Sequence, residues 1–269
     1  VDNEAIASMW SRGDYGIVGD WFGEASRSCL TGMELTGRKV LDIACGTGAV
    51  AIEAAGRGAE VTALDITPRM LEEASQRARL AGVEIRFAEG SFTDLAAYRD
   101  FDVATSAFGV MFAEDQAAMA GEVMRTLRPG GRAVIASWHP EGLLGFPFPG
   151  IEGLLPPMGE GPDRGRWATT SGLASILAEL QERDPQMDVR LHGVEIRTVD
   201  MPFPSVDDAV SQMRALSCGW MMLFEALAGH GTEEAGQQAL IEHVDRFPTP
   251  AAHGVDLSAS YGLAHLSRT

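Results

Sequence analysis

Between residues 38 and 138 the chain alternates short apolar, β-rich runs with stretches long enough for helices, and this alternation restricts the fold more than any other feature. The runs fall at 39–43, 60–66, 83–88, 101–106 and 132–138. Continuous apolar runs of four to eight residues, separated by helical periodicity, read as parallel strands joined by crossover helices. Met119, Ala120, Val123, Met124 and Leu127 fall on one helical face; Leu71, Ala74, Ala78 and Ala81 fall on another. Thr67-Pro68 supplies an N-cap and a proline at the first helical position, and Gly82 a stop. The expected fold is α/β, a doubly wound, mostly parallel seven-stranded sheet.

A composition shift follows. Residues 140–165 hold six prolines and seven glycines in 26 positions, too many for a helix or central strand. An irregular excursion of this length is usually a lid or a connector. Beyond it, Leu173, Ile176, Leu177 and Leu180 mark a helix, and 189–201 reads as a strand. Ser205 starts another helix with Asp208 three residues on, and Thr232 caps a further one reaching about Arg246. Leu257, Ala259, Tyr261 and Leu263 alternate, so the chain ends on a strand expected to complete the sheet. Three regions result: an N-terminal helical cap (1–37), a cofactor-binding core (38–138) and a substrate side (139–269).

Charge and cysteine usage exclude whole classes. Lys plus Arg number 21 and Asp plus Glu 38, a net charge of −17. Such a surface repels a phosphate backbone, so no nucleic-acid partner is expected. Three dispersed cysteines (Cys29, Cys45, Cys218) argue against a disulfide framework or structural zinc, and the remaining histidines lack metal-ligand spacing. No apolar run reaches the ~18–20 residues of a membrane span, so no membrane partner is expected, and the polar, acidic first residues read as no signal peptide. A soluble, cytoplasmic protein with a small-molecule substrate is the expectation; the oligomeric state stays open.

The chemistry concentrates in residues 40–51, VLDIACGTGAVA. An apolar strand runs into small residues and then a helix, so backbone can approach a ligand and the helix start offers free N–H groups. Gly46-Thr47-Gly48-Ala49-Val50-Ala51 also fits the G-x-G-x-x-A dinucleotide pattern, and Asp65, 17 residues after Gly48, suits ribose hydroxyls under either reading. The glycines alone do not choose the cofactor. Asp42, four residues before Gly46, favours one: facing a pyrophosphate, two like charges roughly 4 Å apart cost about 4 kcal/mol at an effective dielectric near 20. S-adenosylmethionine has no phosphate and carries an ammonium and a sulfonium, so there an acid attracts.

Asp42 to Gly48 (DIACGTG) resembles motif I of the class I S-adenosylmethionine-dependent methyltransferases. Residues 61–71, 87–92, 101–112 and 127–132 resemble that family's ribose strand, adenine loop, fourth-strand motif and fifth-strand turn, in order and spacing. The resemblance implies S-adenosylmethionine as cofactor, with Asp65 on the ribose hydroxyls, Gly46 near the methionine portion and Asp42 facing its amino group. It also implies Ala44, Gly48, Ile66, Met70, Gly90, Ser91, Phe92 and Ala107 as cofactor contacts. Ser91 departs from the acid common after the adenine-loop glycine; a hydroxyl there bonds an adenine amino group more weakly. Trp10, Gly13, Asp14 and Tyr15 resemble the N-terminal helix that closes over cofactor in the branch related to ubiquinone/menaquinone-biosynthesis methyltransferases.

Acceptor-side candidates are weaker. His139 follows the fifth strand at the edge where open α/β sheets bind ligands; it is a general base or a solvent-facing loop histidine. Phe108, Phe112 and Trp138 form either an apolar substrate wall or ordinary core. Trp220, in a Trp-Met-Met-Leu-Phe run, packs on substrate or fills a helix interior. Cys45 is read as a packing residue. The expected activity is methyl transfer to a moderately hydrophobic secondary metabolite or quinone-like ring. The alternatives are a cofactor-retaining scaffold or regulator, and a cyclase that uses the bound sulfonium.

Overall fold

The first run folds into a strand buried along four consecutive residues, Val40 to Ile43, as a strand with both faces covered must be. A computed structural model describes residues 3–146, 148–151, 153–156 and 163–269. The N-terminal region forms α1 (Asn3–Trp10), α2 (Tyr15–Trp21) and α3 (Gly23–Arg27). The core follows as β1 (Lys39–Ile43), α4 (Ala49–Gly56), β2 (Glu60–Asp65), α5 (Pro68–Ala81), β3 (Arg86–Glu89), β4 (Phe101–Ala107), α6 (Gln116–Thr126) and β5 (Leu127–Trp138). The remainder is α7 (Thr170–Arg183), β6 (Val189–Phe203), α8 (Val206–Leu216), α9 (Cys218–Gly229), α10 (Glu233–Val244), β7 (Pro248–Ala251) and β8 (Gly254–Arg268).

Seven strands lie in the order β3-β2-β1-β4-β5-β8-β6, all running the same way except β8, which is antiparallel to both its neighbours β5 and β6. The doubly wound expectation therefore holds, with a short β7 added on β8. The carboxyl ends of β1 and β4 lie side by side at this order's reversal, where open α/β sheets leave a crevice. β5 stops at the Trp138–Tyr261 pair, but β6 and β8 stay paired beyond it to Phe203–Val255. There β7 takes the side of β8 that β5 has left, from Pro248–Leu257 to Ala251–Gly254. Its two prolines are tolerated because β7 is an edge strand.

Several local expectations change. The third strand begins at Arg86, not residue 83, because Gly82 closes α5 in a left-handed conformation (φ +69°) and the chain needs three residues to reach the sheet edge. The buried stripe of α5 is Met70, Ala74 and Ala78, a clean i, i+4, i+8 row, while Ala81 is exposed. Thr67 precedes α5 but its side chain makes no capping bond. Its amide instead donates to Asp65 Oδ1 at 2.9 Å. Thr232 likewise spends its hydroxyl on the carbonyls of Leu154 and Leu227, and α10 ends at Val244. Ser205 does cap α8: Oγ accepts from the Asp208 amide at 3.1 Å and donates to Asp208 Oδ2 at 2.6 Å.

The excursion at 140–165 has described portions that are packed. Leu143, Phe148 and Ile151 are buried, and the Leu143 carbonyl accepts from His243 Nε2 of α10 at 3.0 Å. Residues 147, 152 and 157–162 of the expected lid lie outside the described residues.

Candidate active site

The loop after β1 holds three left-handed residues: Ala44 (φ +54°), Gly46 (+53°) and Gly48 (+87°). A Cβ on Gly48 would sit 3.2 Å from that of Ala74, so the small residue lets α5 pack against the start of α4. The Gly46 amide donates to Asp65 Oδ2 at 2.8 Å and the Cys45 amide to the Leu64 carbonyl at 2.9 Å. Both oxygens of Asp65 thus accept from backbone amides, each with a lone pair remaining. Burial pushes the Asp65 carboxyl up, and the amide bonds from Thr67 and Gly46 oppose that shift. Burial, then the charges of Asp42 and Asp65, raise the Cys45 thiol well above its ordinary range, which suits a packing residue and no nucleophile.

Asp42, in the buried part of β1, is engaged by two protein donors. Its carboxylate is 1 % exposed, with Oδ2 accepting from the Ala51 amide of α4 at 3.1 Å and Oδ1 from Thr105 Oγ1 at 3.0 Å. It faces the helix start and β4 and braces the loop from beneath. Burial, with a smaller push from Asp65, lifts the carboxyl to about 7 against those two hydrogen bonds.

The other predicted contacts surround this joint. Met70 and Ile66 flank the turn after β2; the sulfur of Met70 is 3.9 Å from where a Gly46 Cβ would lie. Gly90 donates its amide to the Asp65 carbonyl at 2.9 Å, and a Cβ there would meet Leu64 Cδ1 at 2.9 Å. Ser91 Oγ shares a 2.8 Å hydrogen bond with Thr93 Oγ1 and accepts from the Thr93 amide, so it is engaged within its own loop, beside half-buried Phe92. Ala107 closes β4, and a Cβ on the following Gly109 would come within 2.4 Å of that of Ala44.

Tyr15 begins α2, its ring edge-on to Trp10 at 5.8 Å. Sequence reasoning missed what fastens this cap. Arg77 of α5 reaches Asp20 at 2.6 Å and the Gly16 carbonyl at 3.0 Å, and Arg69 reaches the Ser11 carbonyl at 2.8 Å. Where α2 meets the glycine loop, a Cβ on Gly19 would lie 2.8 Å from Thr47 Oγ1. On the other side, the Asp14 amide donates to the Leu216 carbonyl at 2.8 Å and Arg12 pairs with Glu225. The cap therefore bridges α5 to α8 and α9. A periodic pattern of glycines at 13, 16 and 19 was the available signal.

The acceptor-side residues divide into two groups. Phe108, itself left-handed (φ +60°), stacks on Trp138 with centroids 3.8 Å apart and an 11° interplanar angle. Phe22 and Tyr261 pack edge-on against Trp138. Phe112 stands apart from that pair, edge-on to Trp10 at 4.9 Å. Trp220 is buried against Phe148 at 5.3 Å, the helix-interior reading. His139 Nδ1 accepts from the Glu141 amide at 3.4 Å, a contact within its own loop. A cavity of about 640 Å³ lies between α2–α3, α4 and α5 near Arg27, Arg57 and Arg77; none of the residues described along it is a predicted site residue.

Comparison with known proteins settles the family of this loop-and-strand core. A family profile described as a methyltransferase domain matches residues 40–131. The chain carries a class I methyltransferase domain. This methyltransferase domain resembles the demethylmenaquinone methyltransferase of Deinococcus radiodurans, 41% identical over 117 residues, which cover 41% of this chain and 48% of that protein. An uncharacterised protein of Mycobacterium tuberculosis is 35% identical over 160 residues, 56% of this chain and 58% of the relative. The chain thus matches less than two thirds of such relatives' length. The structure of a putative methyltransferase from Bacillus halodurans superposes with a TM-score of 0.54 at 14% identity, covering 91% of this chain and 97% of that one, which shows a shared fold.

S-adenosylmethionine is the cofactor of this methyltransferase family. The residues present fit it: left-handed glycines make a cradle that a Cβ would fill, and Asp65 keeps acceptor capacity at the crevice. No helix among the described residues is long and apolar enough to cross a membrane.

Proposed function

We propose that this protein transfers a methyl group from S-adenosylmethionine to a moderately hydrophobic, ring-bearing small molecule. The observation that carries the reading is the joint between Gly46 and Asp65, which sets a carboxylate with spare lone pairs beside a loop of bare backbone. When bound, S-adenosylmethionine supplies a methyl carbon made electrophilic by its sulfonium.

The chain's own residues would bind, orient and keep water out. Asp65 would accept from ribose hydroxyls, while Ala44, Gly46 and Gly48 present backbone to the methionine portion and Asp42 holds that backbone from below. Ile66, Met70, Gly90, Ser91, Phe92 and Ala107 would line the nucleoside, with Tyr15 and the cap above. The Phe108–Trp138 stack would supply a flat apolar wall for the acceptor. Holding reacting atoms about 3–3.5 Å apart in a water-poor crevice can provide most of the acceleration without a dedicated base. His139, directly after β5, would be the base for an acceptor whose nucleophile must lose a proton. A quinone-like acceptor draws support from the Deinococcus relative's name alone.

Radiolabelled methyl transfer to a metabolite extract tests the proposal. Label appearing in a small molecule is the expected result; binding of cofactor with no transfer would favour a scaffold, and a product without added methyl mass a cyclase.

A further inference from the structure

Arg164 stands out on the acceptor side. Its guanidinium carbon lies 4.9 Å from the ring centroids of both Phe112 and Phe146. Burial lowers its pKa, and no other influence acts on it among the described residues. No described carboxylate lies within ion-pair distance, although the chain has 38 acids against 21 bases. Half-buried Arg57 and Arg268 also lack an acid but donate to backbone carbonyls, and other half-buried arginines have carboxylate partners. Arg125 has Glu122 and Asp184, Arg197 has Glu195, and Arg166, only two residues on, has Glu179.

The two phenyl rings flank the cation and shelter it in part, but neither ring can accept its N–H donors in the plane of the guanidinium. A half-buried guanidinium whose donors engage no described protein acceptor contributes little to the fold and leaves those donors open to a ligand. It is a good recognition element, because its planar fork matches a carboxylate with two parallel hydrogen bonds.

Its position is fixed at the edge where the acceptor would lie. The Arg164 carbonyl accepts from Ser137 Oγ at 2.8 Å, next to Trp138 at the end of β5. Phe112 shares the turn after β4 with Phe108. From Phe112 one aromatic row runs through Trp10 to Tyr15 of the cap; from Phe146 another runs through Phe148 to Trp220 of α9. Among the described residues Arg164 is the charged member joining them, in a chain whose overall charge would otherwise repel an anion.

We propose that Arg164 is the specificity-determining residue of the acceptor site and that the acceptor is an aromatic carboxylate, its anionic group bound by the guanidinium held between Phe112 and Phe146. The inference rests on the methyl-transfer reading for the identity of the site. It adds a charge to an acceptor that the other residues describe only as flat and apolar.

The test uses benzoate and benzamide, near-isosteres that differ in charge, titrated into the full chain saturated with S-adenosylhomocysteine. Wild type should bind benzoate at least tenfold more tightly than benzamide. Arg164→Gln should abolish that preference, and Arg164→Lys, which keeps charge without the planar fork, should retain part of it. Affinity for S-adenosylmethionine should stay within twofold in all three proteins. Equal binding of the two probes by wild type, no measurable binding of either, or a preference that survives Arg164→Gln would overturn the proposal. Loss of S-adenosylmethionine binding by wild type would instead strike the methyl-transfer reading, so the two failures are distinguishable.

Discussion

The Gly46 amide lies 2.8 Å from Asp65 Oδ2, which makes the loop after β1 and the acid ending β2 one mechanical unit. An acid that only read a ligand would be free to move with it. Here the same carboxylate also sets the loop's shape.

Asp65→Ala should therefore do double damage. Calorimetry with S-adenosylmethionine should show at least a tenfold weaker affinity, about 1.4 kcal/mol or more. Unchanged affinity would remove Asp65 from the cofactor site.

Gly109→Ala probes the opposite wall of the loop. At φ −98° the backbone accepts any residue, but the new Cβ would lie 2.4 Å from that of Ala44. The loop must shift, so cofactor affinity should fall about tenfold, near 1.4 kcal/mol, while far-ultraviolet circular dichroism remains that of wild type. A variant with wild-type affinity would mean that the Ala44 turn tolerates displacement.

Asp42 predicts a pH dependence. Burial holds its carboxyl near 7, well above the 3.8 of a free side chain. Between those values the folded chain binds more protons than the unfolded one, so this group's contribution to stability declines as pH rises from 3.8 towards 7 and levels off above. Asp42→Asn removes that contribution, and its melting temperature should fall less than wild type's over the same interval. Parallel profiles for the two proteins would show that Asp42 does not titrate there.

Arg77 fastens the cap through partly exposed contacts with Asp20, Glu73 and the Gly16 carbonyl. Pairs of that kind contribute about 0–1 kcal/mol, so Arg77→Met should leave global stability nearly intact. It should accelerate amide hydrogen exchange across α2 and speed release of S-adenosylhomocysteine. Exchange in α2 unaltered by the substitution would show that the cap is held by its packing alone.

The core was legible because each of its elements carries a local signature. Strand β1 is a continuous apolar run, α5 opens on Pro68 and closes on Gly82, and the glycines at 46 and 48 mark a turn that only left-handed backbone can make. Asp42 was readable as an acid at a strand end, yet its direction depends on Ala51 and Thr105, the second of which lies 63 residues away and reaches it only through sheet pairing. The same limit hid Arg77 and Arg164. Nothing about an arginine in sequence distinguishes one that clamps a helix from one set between two rings. Phe112 and Trp138 read as one wall because both follow strands, and their separation arises from the turn after β4, where Phe108 turns one way and Phe112 meets the cap.

The β6–β8 pair outruns β5, and β7 fills the vacated side. Helices α8, α9 and α10 all lie in sequence between β6 and β7, so they are carried on a ribbon that projects past the parallel strands. Changes to those helices load the ribbon and reach the glycine loop through the cap, which Asp14 and Arg12 tie to Leu216 and Glu225. The cap is thus a link by which a load on the projecting ribbon is passed to the turn after β1.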